Sequence, residues 1–182
     1  MTRVIDLFAF VLVAVLVLLP APGINIYPAI AAERADLDHL SELEDALFRA
    51  QTQEPPKPEV ERVALAVELA RSYLTVGRPE WALATLHPYL REGNFHAYQV
   101  AATAYADRLQ PQEALRTAEA GLTACDSAGP RCAEVTRIRL SYLAEMMRRL
   151  VAAGVDPYKD PLKARQLVRE ALHNTHPSAR KP

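Results

Sequence analysis

Neither sign of charge dominates this sequence: 21 lysines and arginines stand against 22 aspartates and glutamates, a formal net charge of −1. A domain that binds a phosphate backbone usually carries a basic excess on one face, so nothing here demands nucleic acid. Segments that alternate apolar and polar residues with β-branched enrichment are missing, and with them any predicted strand. The common signatures of chemistry are missing too. There is no glycine-rich phosphate loop, no Gly-x-Ser-x-Gly, no His-Glu-x-x-His and no Cys-x-x-Cys-His haem attachment. Cysteine is limited to Cys125 and Cys132, and the six residues between them are not the Cys-x-x-Cys arrangement that lowers a thiol pKa at a helix start. What is present is the material of one ordinary folded domain, with 50% of residues apolar and 24% charged.

The one long apolar run extends from Leu7 to Leu19 and stops at Pro20. As a helix it would rise only about 20 Å, short of the ~30 Å hydrocarbon core of a bilayer. Its length suits the apolar region of a secretory signal, and Ala29-Ile30-Ala31-Ala32 supplies an A-x-A cleavage pattern ahead of Glu33 and Arg34. A retained membrane anchor through residues 7–19, with Ile24, Ile26 and Tyr27 at the interface, is the competing reading. No Cys follows the run, which argues against lipid modification there. Both readings put the folded part outside the bacterial cytoplasm, in the periplasm or anchored to the inner membrane facing it. In such a compartment an even cysteine count is read as a disulfide, here between Cys125 and Cys132 across the turn sequence Asp-Ser-Ala-Gly-Pro-Arg.

Every later stretch reads as helix. Asp36 is placed to cap a helix whose Leu37, Leu40, Leu43 and Leu47 form one apolar stripe. Glu54-Pro55-Pro56-Lys57-Pro58 then ends it, because proline denies the helix its amide donors. Further helices are predicted from about Glu59 to Val76, Pro79 to Arg91 (with Trp81, Leu83, Leu86 and Leu90 as its stripe), Phe95 to Leu109, Pro111 to Ala124, Arg131 to Ala153 and Leu162 to Asn174. His87 before Pro88 predicts a kink inside the third helix of the chain. The organisation expected is residues 1–31 as signal or anchor, 32–58 as capping helix and linker, 59–176 as a helical repeat domain, and 177–182 as a flexible tail.

The repeat lies in the helix openings. Pro79-Glu80-Trp81-Ala82-Leu83 matches Pro111-Gln112-Glu113-Ala114-Leu115 at an offset of 32 residues, and Pro161-Leu162-Lys163-Ala164-Arg165 opens similarly. Upstream, Leu69-Ala70 followed by Tyr73 corresponds to Ala101-Ala102 followed by Tyr105. This pattern resembles the tetratricopeptide repeat family over about residues 60 to 126. Ala66 and Tyr98 stand at the first aromatic position, Leu86 and Ala118 at the second, and Asn94 and Asp126 where proline would be. Leu143-Ala144 with Met147, then Ala164, Val168 and Ala171, form a degenerate third unit after a longer connection through Gly154-Val155-Asp156-Pro157. The resemblance implies an all-α fold of helical hairpins in a right-handed superhelix.

It also implies a role. In that family the first helix of each hairpin lines a concave groove that receives a peptide or protein. By that resemblance Val67, Arg71 and Leu74 come from the first unit, His96, Gln99 and Thr103 from the second, and Ser141, Glu145 and Arg148 from the third. Arginines among neutral polar groups suit an acidic or C-terminal carboxylate ligand, although the family's Lys-Asn carboxylate clamp is absent. The expectation is a scaffold for a component of an envelope complex, with no cofactor and no enzymatic activity. Two alternatives stay open: a redox or metal accessory protein using the cysteine pair or His173 and His176, and a self-assembling structural protein. Two histidines alone do not complete a zinc site.

Overall fold

A computed structural model describes residues 27–90 and 94–175. Residues 1–26 of the segment expected to form the signal or anchor, and the tail, together with His176 and the side chain of His173, lie outside the residues so described. The chain divides into two units, Met1–Leu37 and Asp38–Pro182. Among the described residues there are seven α-helices and no strand. They are α1 (Tyr27–Thr52), α2 (Glu59–Thr75), α3 (Pro79–Leu86), α4 (Phe95–Asp107), α5 (Pro111–Ala128), α6 (Glu134–Ala152) and α7 (Pro161–Thr175). None is long and apolar enough to cross a membrane.

Two boundaries depart furthest from expectation, each for a local reason, while α5 runs on from Ala124 to Ala128 and α6 begins at Glu134 where Arg131 was expected. α1 begins at Tyr27, well before Asp36, because Ala31-Ala32-Glu33-Arg34-Ala35 is made of strong helix formers and nothing interrupts it. α3 stops at Leu86 and gives way to a 3-10 turn at His87–Tyr89, since Pro88 has no amide hydrogen to continue the α ladder. Trp81 also leaves its predicted stripe: it is 57% exposed on α3, with its ring 5.9 Å from that of Tyr73.

The turns that close the helix pairs share one design. After α2 the amide of Arg78 bonds back to the Tyr73 carbonyl at 2.8 Å; after α4 Gln110 bonds to Tyr105 at 3.0 Å; after α6 Val155 bonds to Leu150 at 3.1 Å. Each is the six-to-one bond of a Schellman motif, which needs a left-handed residue just past the helix. Gly77 (φ +70°) and Gly154 (φ +60°) supply it in two cases, and Leu109 (φ +56°) in the other. For an L-residue with a Cβ that conformation costs roughly 1–2 kcal/mol. The first two turns return the chain quickly to Pro79 and Pro111, whereas the third runs from Ala153 to Asp160 before α7 begins at Pro161. In that longer connection the Asp156 carboxylate accepts the Tyr158 amide at 2.9 Å, and Asp160 accepts the Lys163 amide at the start of α7.

Small side chains let these helices come close. Ala66, Ala70, Ala82, Ala97, Ala101, Ala104, Ala114 and Ala118 have no exposed surface. Consecutive helices from α2 to α7 pack on one another, and the first helices of successive pairs also meet, α2 with α4 and α4 with α6. Three buried clusters follow along the array. The first joins Leu40, Leu43 and Leu47 of α1 to α2, α3 and α4; the second lies among α4, α5 and α6; the third holds α7 through Ala164 against Met147 and Leu150. α1 is further tied by the Tyr73 hydroxyl, which donates to the Glu44 carboxylate at 2.5 Å, and by Gln51, which donates to the Tyr89 hydroxyl at 2.9 Å.

Candidate functional site

The residues expected in a groove sit on α2, α4 and α6, the three first helices that touch in sequence. They divide into three kinds of environment. Val67 is a correction: it is 6% exposed within the core that contains Val100 and Ala101, so close approach of α4 takes its side chain away from any ligand. Leu74 is half-buried against the same core.

Arg71 and His96 form the second kind, on the neighbouring helices α2 and α4. Both are exposed. Desolvation, and after it the charge of Arg71, push the His96 imidazole below its ordinary pKa, and the His96 ring packs on Phe95 with centroids 4.5 Å apart. Arg71 makes no ion pair among the described residues. Gln99 is half-buried beside them on α4, one turn past His96, while the Thr103 hydroxyl donates to the Gln99 carbonyl at 3.1 Å. This end of the face offers an exposed guanidinium and neutral polar groups.

The third kind is closed on itself. Glu145 accepts from Arg149 at 2.8 Å and from Arg148 at 3.0 Å, and Arg148 reaches across to Glu119 of α5 at 3.0 Å. The hydrogen bond from Arg149 is the main reason the Glu145 carboxyl is held below its usual range, and the bond to Glu119 raises Arg148. Two carboxylates and two guanidinium groups balance here, so Arg148 cannot take a ligand's carboxylate without giving up bonds it already has. Ser141 is exposed one turn away.

Cys125 and Cys132 are joined in a disulfide with Cα atoms 5.1 Å apart. It links the last turn of α5 to the approach to α6, and both residues are buried in the core. Among the described residues no group of three or more histidine, cysteine, aspartate or glutamate side chains is placed to hold a metal ion.

One concavity was not anticipated by reading the sequence. Between the α4–α5 turn and α7 lies a cavity of about 500 Å³, floored by Met147 and Leu150 of α6. Ala106, Leu109 and Pro111 wall it on one side, and Pro157, Pro161, Ala164 and Val168 on the other; Arg165 and Arg169 supply the charge in its lining. A second hollow of about 390 Å³ shares Leu109, Pro111, Leu150 and Pro157 and continues past Glu113 and Asp156. Those two carboxylates are held by Arg116 at 3.0 Å and Lys159 at 3.6 Å. Pro157 of the long third connection completes the lining of the cavity. Its sequence signal was the leucine at 109, in the place taken by Gly77 in the aligned turn 32 residues earlier.

No protein-family model matches this sequence, and no curated protein and no solved structure matches it either.

Proposed function

We propose that this chain is an exported helical-repeat scaffold, of tetratricopeptide type, that holds a peptide or protein partner of the bacterial envelope and does not itself catalyse a reaction. The support is the set of three helix pairs closed by the same Schellman turn, with their first helices in mutual contact. Such stacks use that shared face for recognition, and short stacks cover their ends with an additional helix, the part assigned to α1. The observation that carries the partner's chemistry is Arg71, exposed beside His96 and Gln99 and without an ion pair among the described residues. A guanidinium in that setting suits a carboxylate through paired hydrogen bonds. Recognition is therefore centred on α2 and α4, with the charge-balanced α6 network as structural support.

The test is capture of the mature chain's partner from detergent-solubilised envelope, with wild-type and Arg71→Glu proteins compared. Loss of one reproducible partner, at unchanged thermal stability, is expected for the variant. Equal capture would discard this face. Arg148→Glu is the contrasting variant: it places a third carboxylate beside Glu119 and Glu145, so it should lower stability before it touches recognition.

A further inference from the structure

We infer that the cavity between the α4–α5 turn and α7 is a second binding site, separate from the α2–α4 face, for an amphiphilic carboxylate: an apolar chain with one anionic head. Its volume, about 500 Å³, falls within the range of small-molecule sites. The interior offers a chain carbon and sulfur surface from Leu109, Met147, Leu150 and Val168. Charge at the border has one sign on the α7 side. Arg165 and Arg169 are one helical turn apart, so their guanidinium groups lie on the same side of α7. Both are exposed and neither forms an ion pair among the described residues. A carboxylate placed there would find two donors of paired hydrogen bonds, as guanidinium groups provide. The carboxylates of the adjoining hollow are already matched by Arg116 and Lys159 and leave that border basic.

A second, independent observation comes from the backbone. The α4–α5 turn places Leu109 at a left-handed position that glycine fills in the other two turns. That side chain is 47% exposed and lines both hollows. Strained residues persist where the side chain itself is needed, and here the side chain is cavity wall. Glycine would relax the turn and remove the wall.

The experiment is titration calorimetry of the full chain with decanoate below its micellar concentration, with decanol as the uncharged control. Decanoate should bind saturably and at least about tenfold more tightly than decanol, the discrimination that one charge-assisted contact supplies. The double variant Arg165→Gln/Arg169→Gln should erase that difference while decanol binding stays as it was. Leu109→Gly should weaken both ligands with an unchanged or higher melting temperature. Three results would overturn the inference: no saturable decanoate binding, equal affinity for decanoate and decanol in the wild type, or undiminished decanoate affinity in Leu109→Gly. A fall in melting temperature for Leu109→Gly without loss of binding would mark the leucine as packing alone and count against the site as well.

Discussion

Tyr73 shows how much one side chain can be asked to do. Its ring is buried among the alanines and leucines of α2, α3 and α4, yet its hydroxyl reaches Glu44 on α1. Burial first, then the hydrogen bond and the negative charge of Glu44, push the phenol up to about 12. An unfolded tyrosine titrates near 10. Because the folded value is the higher one, this group's stabilisation is complete below about pH 10 and is lost as pH rises from about 10 to 12. Tyr73→Phe should therefore cost about 1.5–3 kcal/mol at neutral pH, the range for a hydrogen bond to a charged acceptor. The gap between variant and wild type should close in the alkaline window. Urea unfolding at about pH 8 and about pH 11 would measure both; a gap of constant size would mean that folding does not raise the phenol pKa, and no gap at either pH would mean that the ring, and not the hydroxyl, matters. Tyr73 was legible in the sequence as a position repeated at Tyr105, but its partner was not, since 29 residues separate Tyr73 from Glu44.

At the scale of an element, α5 is set by what it lacks. Gly121 lies where α5 passes between α4 and α6, and a Cβ there would come within 2.9 Å of Tyr98 Cβ and of Leu140 Cδ2. The Leu140 methyl can turn aside. Tyr98 Cβ is fixed to the α4 backbone and cannot. Alanine is the better helix former by about 1 kcal/mol, so an isolated α5 would gain from Gly121→Ala. Overpacking of a tight core costs about 1–3 kcal/mol, which outweighs that gain. The variant should melt at a lower temperature while keeping its helix content by circular dichroism. An equal or higher melting temperature would show that the α4–α5–α6 contact yields without cost. Helix limits were readable from proline and periodicity, whereas this close approach was not, because a glycine in a helix has no pattern of its own.

The molecule from α2 onward is an array in which each helix pair leans on its neighbours, so a covalent tie between pairs has leverage. Cys125–Cys132 joins the second pair to the third. Closing a loop this small stabilises by about 2.5 kcal/mol on the chain-entropy model. For a chain of this length that corresponds to a fall of about 5–10 °C in melting temperature on reduction. Scanning calorimetry with and without a strong reductant would measure it. Because both cysteines are buried, mild reductant on the native protein should release no thiol that reacts. A rapid native-state thiol titre would favour a redox role over a staple.

Local rules decided the elements: proline at helix starts, apolar periodicity, and the repeated Pro, Ala and Tyr placed the starts of the helices from Glu59 onward to within a few residues. The two cysteines, with six residues between them about a turn, were legible as a pair for the same reason. What the chain order could not disclose was set by distance in space. Val67 belongs to the core because α4 presses on α2, and Arg148 is occupied because Glu119 lies across from it on α5. Arg71 is open because no carboxylate among the described residues packs beside it to form an ion pair. The apolar cavity is likewise a product of packing, since its lining comes from α4, α5, α6, α7 and the connections between them, residues far apart in the chain. Periodicity records which face of a helix is apolar; only the assembled neighbours determine which of the remaining groups find partners and where a space is left open.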